Sequence, residues 1–448
     1  MAKGKAKLSG LDVYKVLPKT NCRDCGFPTC LAFAMQVAAK KVGLEKCPHL
    51  SDEVRQEFLE SSAPPIKLIT IGRGEGAVEL GNETVMFRHE ETFYHPTAIA
   101  VTLEDTLSED KMIKKLQKIN SMEFERVGQQ IKVDLVAVIN KGSAESFKKA
   151  VALSIKNSDL NLILVSKNTE ALEGALGVCV DKNPLIYAAD AANYKEFTEL
   201  AKKYNANLAV LAPDLIRLSD LTKKIKELGF DNLVIGTKTN DILSKISDLT
   251  YARRAALKNN ERSLGYPQIV FVENDDDYQK ILWAASFICK YANVLILDID
   301  KNEEMLPLLT VRQNIYTDPQ KPLAVKPQIY EIGQTTQDSP VLITTNFSLT
   351  YYTVEAEVEA SRVPSYIVGV DCEGMSVLTA WAADKFTPES INDALKKEKI
   401  EEKVKHKNII IPGYVANLKA KLEDEFGWVV TVGPREAEGI PSFLKNLR

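Results

Sequence analysis

Short apolar runs alternate with amphipathic segments through the middle of the chain. The runs have strand length, and each is followed by a polar stretch or by a segment with helical spacing. The apolar runs cover 98–103, 133–139, 160–165, 185–188, 208–211, 233–235, 269–272 and 294–297, and the clearest helical segments cover 110–127, 143–155, 194–204, 214–228 and 278–291. Eight such units over about 220 residues predict a (β/α)8 TIM barrel.

The carboxyl ends of the barrel strands are where this fold carries chemistry. The residues at those ends are Glu104, Asp105, Asn140, Asp190, Asp214, Lys238, Glu273, Asn274, Asp298 and Asp300. They include no histidine, and their spacing assembles neither a catalytic triad nor a two-metal set. Acidic residues in such places are also common helix N-caps. We therefore expect the barrel to be scaffold, with a ligand site at Asn140, Asp190 and Asn274 as the alternative.

Two proline-containing segments, at 61–65 and 316–327, predict domain boundaries. After the first boundary, 67–71 and 84–89 predict a β-hairpin whose turn is made by glycines 72, 74, 76 and 81. We expect domains at 1–60, 66–315 and 341–448, joined by a linker at 316–340.

The last hundred residues predict a smaller α/β unit. Apolar strands are expected at 341–345, 366–370, 408–411 and 428–432, and helices at 351–361, 388–396, 415–426 and 442–446. This pattern predicts a Rossmann-like (flavodoxin-like) sheet, which binds ligands at the loops that follow its strands.

Those loops are small and contain several glycines, which suits close backbone approach to a large planar or phosphate-bearing cofactor. The candidate binding residues are Thr345, Asn346, Asp371, Cys372, Gly374, Met375, Ser376, Gly413, Tyr414, Gly433, Pro434, Arg435, Glu436 and Ala437. The residues alone leave a nucleotide, a flavin and a corrinoid open.

Four of the seven cysteines stand close together near the start of the chain, at Cys22, Cys25, Cys30 and Cys47. Disulfides are disfavoured because the first residues lack an apolar signal segment, which places the chain in a reducing cytoplasm. Structural zinc usually uses two C-x2-C pairs, and only one is present. A compact C-x2-C-x4-C loop with a distant cysteine before proline favours one [4Fe-4S] cluster.

The surroundings of these cysteines agree with a cluster. Gly26 allows the positive φ that turns backbone N–H groups toward sulfur, and the helix predicted at 31–39 would direct its positive end at the anionic cluster. One-electron transfer is the simplest role, and a purely structural cluster is the alternative. Cys179 and Cys289 are predicted to be buried small apolar residues.

Composition narrows the class of protein. Of the 448 residues, 45% are apolar, which is enough for about three ordinary cores. No apolar run reaches the roughly 20 residues that a membrane span needs. The chain has 57 basic and 61 acidic residues, so it lacks the overall positive charge that would indicate a nucleic-acid-binding protein.

The order of these units resembles one known family. A four-cysteine module, a barrel and a small α/β domain, together with the loop 369–381 (GVDCEGMSVLTAW), resemble the large (gamma) subunit of the corrinoid iron-sulfur protein of the acetyl-CoA (Wood-Ljungdahl) pathway. The resemblance covers essentially the whole chain. It implies that Cys22, Cys25, Cys30 and Cys47 hold one [4Fe-4S] cluster and that the C-terminal loops surround a corrinoid. The barrel resembles pterin-dependent methyltransferase barrels and is expected to support a heterodimer with a smaller barrel subunit.

The resemblance also implies an activity. The chain would accept a methyl group on Co(I) from methyltetrahydrofolate, delivered by a separate methyltransferase, and would donate it to acetyl-CoA synthase in its complex with CO dehydrogenase. The cluster would pass an electron from a low-potential donor to reactivate Co(II). The chain would thus be the corrinoid component of a methyltransferase system (class 2.1.1) and not a stand-alone catalyst.

One departure from the better-known cobalamin-binding pattern is informative. The motif D-x-H-x-x-G is absent, and His406, the only histidine of the C-terminal unit, lies in a charged run that predicts a solvated surface residue. The resemblance therefore implies a base-off corrinoid without a protein histidine ligand. The proline-rich boundaries predict that the corrinoid domain moves as a rigid body. The alternatives are an autonomous methyltransferase with a pterin-binding barrel and a cluster-bearing flavin or nucleotide reductase.

Overall fold

The computed structural model describes residues 10–38, 42–51 and 64–447. At the N-terminal end, α1 (Gly10–Val16) and α2 (Cys30–Ala38) pack around a small apolar core that includes Val13, Phe33 and Leu44. The helix predicted at 31–39 corresponds to α2, whereas α1 was not predicted. The sequence of residues 52–59 also predicts a helix, but that segment and residues 61–63 of the first boundary lie outside the described residues.

A short antiparallel hairpin, β1 (Ile69–Ile71) and β2 (Val78–Leu80), closes the amino end of the barrel. Ile71 and Leu80 lie in the same apolar cluster as the inward-facing barrel residues. The side-chain amides of Asn183 and Asn207 each donate to the Thr70 carbonyl at 2.8 Å. The predicted second strand at 84–89 is wrong, because β2 lies inside the glycine-containing segment that was predicted to be the turn.

Residues 84–89 form a loop because their backbone carbonyls accept hydrogen bonds from side chains. Arg253 donates to the Val85 carbonyl at 2.6 Å and to Glu83 at 3.2 Å. Both ionic side chains are almost fully buried, at 3% and 1% exposure. The guanidinium carbon lies 4.7 Å from the Phe93 ring centroid and 4.6 Å from that of Tyr291. This ion pair therefore anchors the loop to the barrel.

Replacing Arg253 with methionine is expected to lower the unfolding free energy by about 3–5 kcal/mol, since it leaves the Glu83 carboxylate buried without its cation. The barrel transition in calorimetry reports the change. A Glu83→Leu/Arg253→Met pair should be less destabilised than the single variant, because no unpaired charge remains. A single variant within 1 kcal/mol of the parent would contradict the anchoring role.

The eight predicted barrel strands are all present. In chain order the unit contains β3 (Ala98–Glu104), α3 (Glu109–Asn120), β4 (Glu123–Arg126), β5 (Gln129–Lys132), β6 (Leu135–Ile139), α4 (Ala144–Asn157), β7 (Asn161–Val165), α5 (Thr169–Val178), β8 (Leu185–Ala189), α6 (Tyr194–Lys203), β9 (Asn207–Ala212), α7 (Leu215–Glu227), β10 (Leu233–Thr237), α8 (Ile242–Asn259), β11 (Ile269–Val272), α9 (Asp277–Cys289), β12 (Val294–Leu297) and α10 (Asn302–Tyr316). The strands pair in parallel in the order β10-β9-β8-β7-β6-β3-β12-β11. A parallel bridge between Ile235 and Gln268 joins the two ends of the sheet. The sheet is thus a near-closed barrel.

The predicted helix at 110–127 is only half right. It ends at Asn120 as α3, and residues 123–126 form β4, the first strand of the antiparallel hairpin β4–β5. Val127 and Gly128 have positive φ values of 53° and 67°, which gives the tight reversal that joins two short strands. The alternation of polar and apolar residues in this segment was the signal for strands.

The C-terminal unit is a five-stranded sheet with helices on both faces. It contains β13 (Ile329–Ile332), β14 (Val341–Thr345), α11 (Ser348–Ser361), β15 (Ser365–Val370), α12 (Val377–Ala382), α13 (Pro388–Lys397), α14 (Ile400–Lys403), β16 (Asn408–Ile411), α15 (Lys419–Asp424), β17 (Val429–Val432) and α16 (Ile440–Asn446). The order is β13-β15-β14-β16-β17, and β13 pairs antiparallel at the edge. The four predicted strands are parallel to one another.

Two details of this unit differ from the prediction. The segment predicted as a linker at 316–340 contributes the edge strand β13, because a run of apolar and polar residues without proline follows Pro327. The helix predicted at 415–426 is split into a 3-10 turn, Gly413–Leu418, and the short helix α15.

Candidate cluster and cofactor sites

The four N-terminal cysteines differ in exposure, and Cys30 and Cys47 belong to the small apolar core of α1 and α2. Cys22 is exposed and Cys25 half-buried, whereas Cys30 and Cys47 are only 7% and 4% exposed. Cys30 is the first residue of α2, so its side chain lies at the positive end of that helix.

The loop before α2 has a backbone conformation with several positive φ values, which can turn N–H groups toward sulfur. Asn21, Arg23 and Gly26 have positive φ values of 52°, 71° and 83°, which confirms the conformation predicted for Gly26. The Asn21 N–H donates to the Cys30 sulfur at 3.4 Å, and the Cys30 N–H donates to the Asn21 side-chain oxygen at 2.8 Å. Backbone N–H donation to cysteine sulfur is a usual feature of iron-sulfur sites. The residues present therefore fit a cluster.

A histidine and an aspartate adjoin the exposed cysteine. Among the described residues, the ligand atoms of Cys22, Asp24 and His49 lie within 4.8 Å of one another, whereas no three cysteine sulfurs meet that limit. A cube that binds one sulfur at each iron needs its ligands around it rather than in mutual contact. His49 hydrogen-bonds Asp24 at 2.5 Å, and this bond, followed by one from Cys22, lowers the pKa of the Asp24 carboxyl. Sequence reasoning missed both residues, although each lies within two positions of a predicted ligand.

At the carboxyl edge of the C-terminal sheet, Asn346 organises the loop that follows β15. Its side chain is 4% exposed, and its oxygen accepts from the backbone N–H of Cys372 at 2.9 Å and of Gly374 at 3.1 Å. Its amide donates to Asp371 at 3.2 Å. Asn346 thus holds the loop in shape.

The loop 371–376 packs inward against the preceding connection. Burial raises the pKa of the Cys372 thiol to about 12, so this cysteine is an apolar core residue. Gly374 has a φ of 71°, and a β-carbon there would lie 3.2 Å from Ala324. Met375 and Ser376 are half-buried beside it.

The loops after β16 and β17 meet closely. The Gly413 N–H donates to the Pro434 carbonyl at 3.0 Å, and a β-carbon on Gly413 would lie only 2.6 Å from the Gly433 carbonyl. At the rim, the exposed Tyr414 hydroxyl donates to Glu436, which raises the Tyr414 pKa. Arg435 lies 5.9 Å from the Tyr414 ring centroid.

A cleft of about 140 Å³ lies between these loops and the end of β14. Of the predicted binding residues, it is lined by Tyr414, Gly433, Pro434, Arg435, Glu436 and Ala437. Within the part of the chain that the structure describes, the buried hydroxyls of Thr344 and Thr345 have no hydrogen-bond partner. Orphaned buried hydroxyls are rare and indicate a missing partner, so this edge fits a ligand with polar groups. Thr344, which also lines the cleft, was not predicted.

His406 lies away from this edge. It precedes β16, at the amino end of the sheet, and is half-buried rather than solvated as predicted. Its Nδ1 accepts from the Asn408 N–H at 3.1 Å, and its Nε2 donates to the Ser339 carbonyl at 3.1 Å. Both ring nitrogens are therefore used within the fold.

The carboxyl end of the barrel opens into a cleft of about 1150 Å³. The predicted ligand residues there form hydrogen bonds with other residues of the barrel. Asn140 donates to Asp105 at 2.8 Å, Asp190 accepts from Lys238 at 2.7 Å, and Asn274 accepts from the Asp276 N–H at 2.9 Å. These contacts favour the scaffold interpretation.

Two further predictions about single side chains have opposite outcomes. Asp214 is the N-cap of α7 and accepts from the Arg217 N–H at 2.9 Å, as the cap interpretation expects. Cys179 is buried as predicted, but Cys289 is exposed, so the prediction for Cys289 is wrong.

Lys245 lines the barrel cleft but is only 7% exposed, and burial lowers its pKa to about 8. Its amine donates to the Thr237 carbonyl. An unfolded lysine has a pKa of about 10.4. Between these values the unfolded chain binds the extra proton, so stability rises with pH, and below pH 8 the buried charge destabilises the fold.

We expect a Lys245→Met variant to lose this pH dependence. Relative to the parent, its unfolding free energy should fall by roughly 2–3 kcal/mol as the pH rises from 7 to 10.5, because only the parent gains stability over that range. Calorimetry at several pH values measures the difference, with Lys148→Met, at an exposed position, as the control. A parent–variant difference that does not change with pH would contradict the buried-lysine explanation.

Two family models match the chain. The family described as "CO dehydrogenase/acetyl-CoA synthase delta subunit" matches residues 68–444, and the family described as "Putative Fe-S cluster" matches residues 17–49. Among solved structures, a Yersinia pestis DHPS complex with a pterine-sulfa conjugate aligns at 9% identity and a TM-score of 0.37, covering 49% of this chain and 93% of that chain.

Relatives that align over nearly the full chain identify its family. The corrinoid/iron-sulfur protein large subunit of Moorella thermoacetica is 46% identical over 98% of both chains. The acetyl-CoA decarbonylase/synthase complex subunit gamma of Methanothermobacter thermautotrophicus is 37% identical over 98% of this chain and 99% of its own, and that of Methanopyrus kandleri is 35% identical over 98% of both. The chain therefore belongs to the family of corrinoid/iron-sulfur protein large subunits, the gamma subunits of acetyl-CoA decarbonylase/synthase complexes.

Proposed function

We propose that this chain is a corrinoid-dependent methyl carrier that serves acetyl-CoA synthase. The observation that carries the proposal is the 46% identity over 98% of both chains to a protein named for a corrinoid and an iron-sulfur centre. That alignment spans the cysteine module and the C-terminal loops together, so it supports both cofactors at once.

The N-terminal module would hold one [4Fe-4S] cluster on Cys22, Cys25, Cys30 and Cys47. The match to an iron-sulfur family over residues 17–49 and the N–H donation to the Cys30 sulfur support this assignment. When bound, such a cluster supplies one-electron transfer at low potential, which suits reductive reactivation of an oxidised corrinoid.

The corrinoid would lie at the carboxyl edge of the C-terminal sheet. Thr344 and Thr345 would donate their orphaned hydroxyls, and the close pair Gly413 and Gly433 would hold the two loops together beside the ligand. When bound, the corrinoid supplies a nucleophilic cobalt that accepts and releases the methyl group. Among the described residues, no histidine lies at this edge, which supports a base-off form without a protein ligand.

The other parts of the chain support this role. The barrel would serve mainly as scaffold for a smaller barrel subunit, and the C-terminal unit would move to meet its partners in turn. Those partners are a methyltetrahydrofolate-dependent methyltransferase, acetyl-CoA synthase with CO dehydrogenase and a low-potential electron donor, all in the cytoplasm. Within the described residues, no helix is long and apolar enough to span a membrane.

Transfer of an isotopically labelled methyl group tests the proposal. With a separate methyltransferase and labelled methyltetrahydrofolate, label should accumulate on the reduced full chain and then pass to acetyl-CoA synthase. Calorimetry of methyltetrahydrofolate with this chain alone should show no binding. Binding and turnover without the methyltransferase would favour the autonomous barrel enzyme, whose candidate residues Asn140 and Asp190 are bonded within the fold.

The threonine hydroxyls give a sharper prediction about the corrinoid edge. Thr345→Val replaces an unpaired buried hydroxyl with an apolar group of the same shape, so the cofactor-free protein should be as stable as the parent or more stable. Corrinoid affinity should fall about tenfold, because the new side chain cannot donate. Equilibrium titration with a corrinoid and calorimetry of the cofactor-free form measure the two effects. Thr345→Ser, which keeps the hydroxyl, should restore affinity; unchanged affinity in Thr345→Val would remove Thr345 from the site.

A further inference from the structure

Charge is distributed very unevenly along the chain. The predicted N-terminal domain, residues 1–60, contains ten lysines and arginines and seven aspartates and glutamates, a net charge of +3, whereas the whole chain carries −4 and the remaining residues therefore −7. A basic unit on an otherwise acidic protein attracts a different kind of partner from the rest of the surface.

The exposed cysteine lies on this basic unit. Cys22 is exposed, whereas Cys30 and Cys47 are buried within the apolar core of α1 and α2. Electron transfer weakens steeply with distance, so a protein partner would reach a cluster here most directly through the Cys22 corner. The graded burial of the ligands thus selects one face of the module.

That face presents positive side chains at fixed positions. Lys19 and Arg23, on either side of Cys22, are exposed and have positive φ values of 60° and 71°. The Lys19 amine lies 5.5 Å from the Tyr14 ring centroid, which holds it near the loop. The adjacent carboxylate, Asp24, is hydrogen-bonded to His49.

We infer that the exposed Cys22 corner, flanked by Lys19 and Arg23, is the docking face for an acidic electron-transfer protein that reduces the cluster. The inference rests on the proposed function, because it assumes that the four cysteines hold a cluster. In the step, the partner loses one electron and the cluster gains it, and no bond is made or broken. Electrostatic attraction of opposite patches accelerates such encounters by roughly 10- to 1,000-fold at low salt.

The test uses donors of opposite charge on the full chain. Reduction of the cluster is followed by its visible absorbance in a stopped-flow experiment, with a reduced acidic ferredoxin as one donor and the methyl viologen cation radical as the other. In Lys19→Glu/Arg23→Glu, reduction by ferredoxin should slow about tenfold or more at low salt, while reduction by viologen should speed up. Both differences should vanish near 1 M salt, where the screening length is about 3 Å.

Matched controls distinguish the effect of charge at the Cys22 corner from the effect of the net charge of the chain. Lys148→Glu/Lys156→Glu changes the net charge equally but on exposed positions of α4, and it should leave the ferredoxin rate within about twofold of the parent. Binding of oxidised ferredoxin, measured by fluorescence anisotropy, should weaken about tenfold only in the Lys19/Arg23 variant. If reversal lowers the iron content, Lys19→Gln/Arg23→Gln provides the same comparison with half the charge change.

The outcomes distinguish this inference from the proposed function. A chain that binds no iron would overturn the proposed function and the inference together. If dithionite reduces the cluster normally and the Lys19/Arg23 variant keeps the parent's ferredoxin rate and affinity, only the docking face is overturned. An equal loss in the Lys148/Lys156 control would also overturn it.

Discussion

Replacing Cys47 by alanine is expected to abolish the iron-sulfur cluster while leaving the corrinoid in place. Cys47 is 4% exposed and follows a 3-10 turn, Leu44–Lys46, that is separated from the other three cysteines along the chain. Removing the one distant cysteine would leave an iron of the proposed cluster without a protein thiolate. Metal binding is coupled to folding in small modules, so the N-terminal core around Phe33 should also lose stability.

The measurement is iron, zinc and cobalt content together with the visible spectrum. Iron should fall from about four per chain to near zero, cobalt should be unchanged, and reductive reactivation should be lost. Cys179→Ala is the matched control, because Cys179 is also a buried thiol but lies in the barrel. Full iron content in Cys47→Ala, or zinc in its place in the parent, would contradict the cluster assignment.

Replacing Gly413 by alanine is expected to lower corrinoid affinity at least tenfold without changing iron content. The new β-carbon would lie 2.6 Å from the Gly433 carbonyl and 2.9 Å from the Arg435 nitrogen, and both atoms belong to backbone that cannot swing aside. The loops after β16 and β17 must therefore separate, which breaks the hydrogen bond from Gly413 to the Pro434 carbonyl. Overpacking of this kind destabilises by about 1–3 kcal/mol.

Gly369→Ala is the matched control for this prediction. Gly369 lies in β15 of the same sheet, and a β-carbon there meets its nearest atoms at ordinary distances of 3.7–3.8 Å. Equilibrium titration of the cofactor-free chains with a corrinoid should show parent-like affinity for Gly369→Ala. Equal affinities in the two variants would show that the β16 and β17 loops do not form the corrinoid site.

Periodicity predicted the sheets better than the connections. The eight barrel strands were predictable because each is a short apolar run buried on both faces, such as β6 and β12. Strand β4 was taken as the end of a helix because its residues are half-exposed and the turn that follows depends on the positive φ of Val127. The edge strand β13 was hidden behind prolines.

The loop at 84–89 shows a different limit of sequence reasoning. Its alternation resembles a strand, but a buried ion pair formed with Arg253, about 170 residues away, fixes it as a loop. Local propensity cannot reveal such a long-range contact. The spacing of the cysteines, in contrast, is visible in a short stretch of sequence. The four-cysteine site around Cys30 could therefore be proposed from sequence, although the different exposure of its members could not.

The C-terminal site was predictable as a set of loops but not as a geometry. Asn346 stays a predicted ligand residue, but its role in fixing the loop after β15 through two backbone N–H groups could not be read from the sequence. Thr344 was missed because an orphaned hydroxyl is visible only once its surroundings are known. The close approach of Gly413 to Gly433 likewise depends on two strands that are neighbours only in the folded sheet.

The most direct test of the methyl-carrier proposal is the anaerobic visible spectrum of the purified full chain before and after a low-potential reductant, with cobalt and iron counted on the same sample. The proposal predicts a sharp Co(I) band on reduction, with about one cobalt and four iron per chain. Iron without cobalt, or the spectrum of a flavin, would contradict the methyl-carrier function and leave only the cluster assignment.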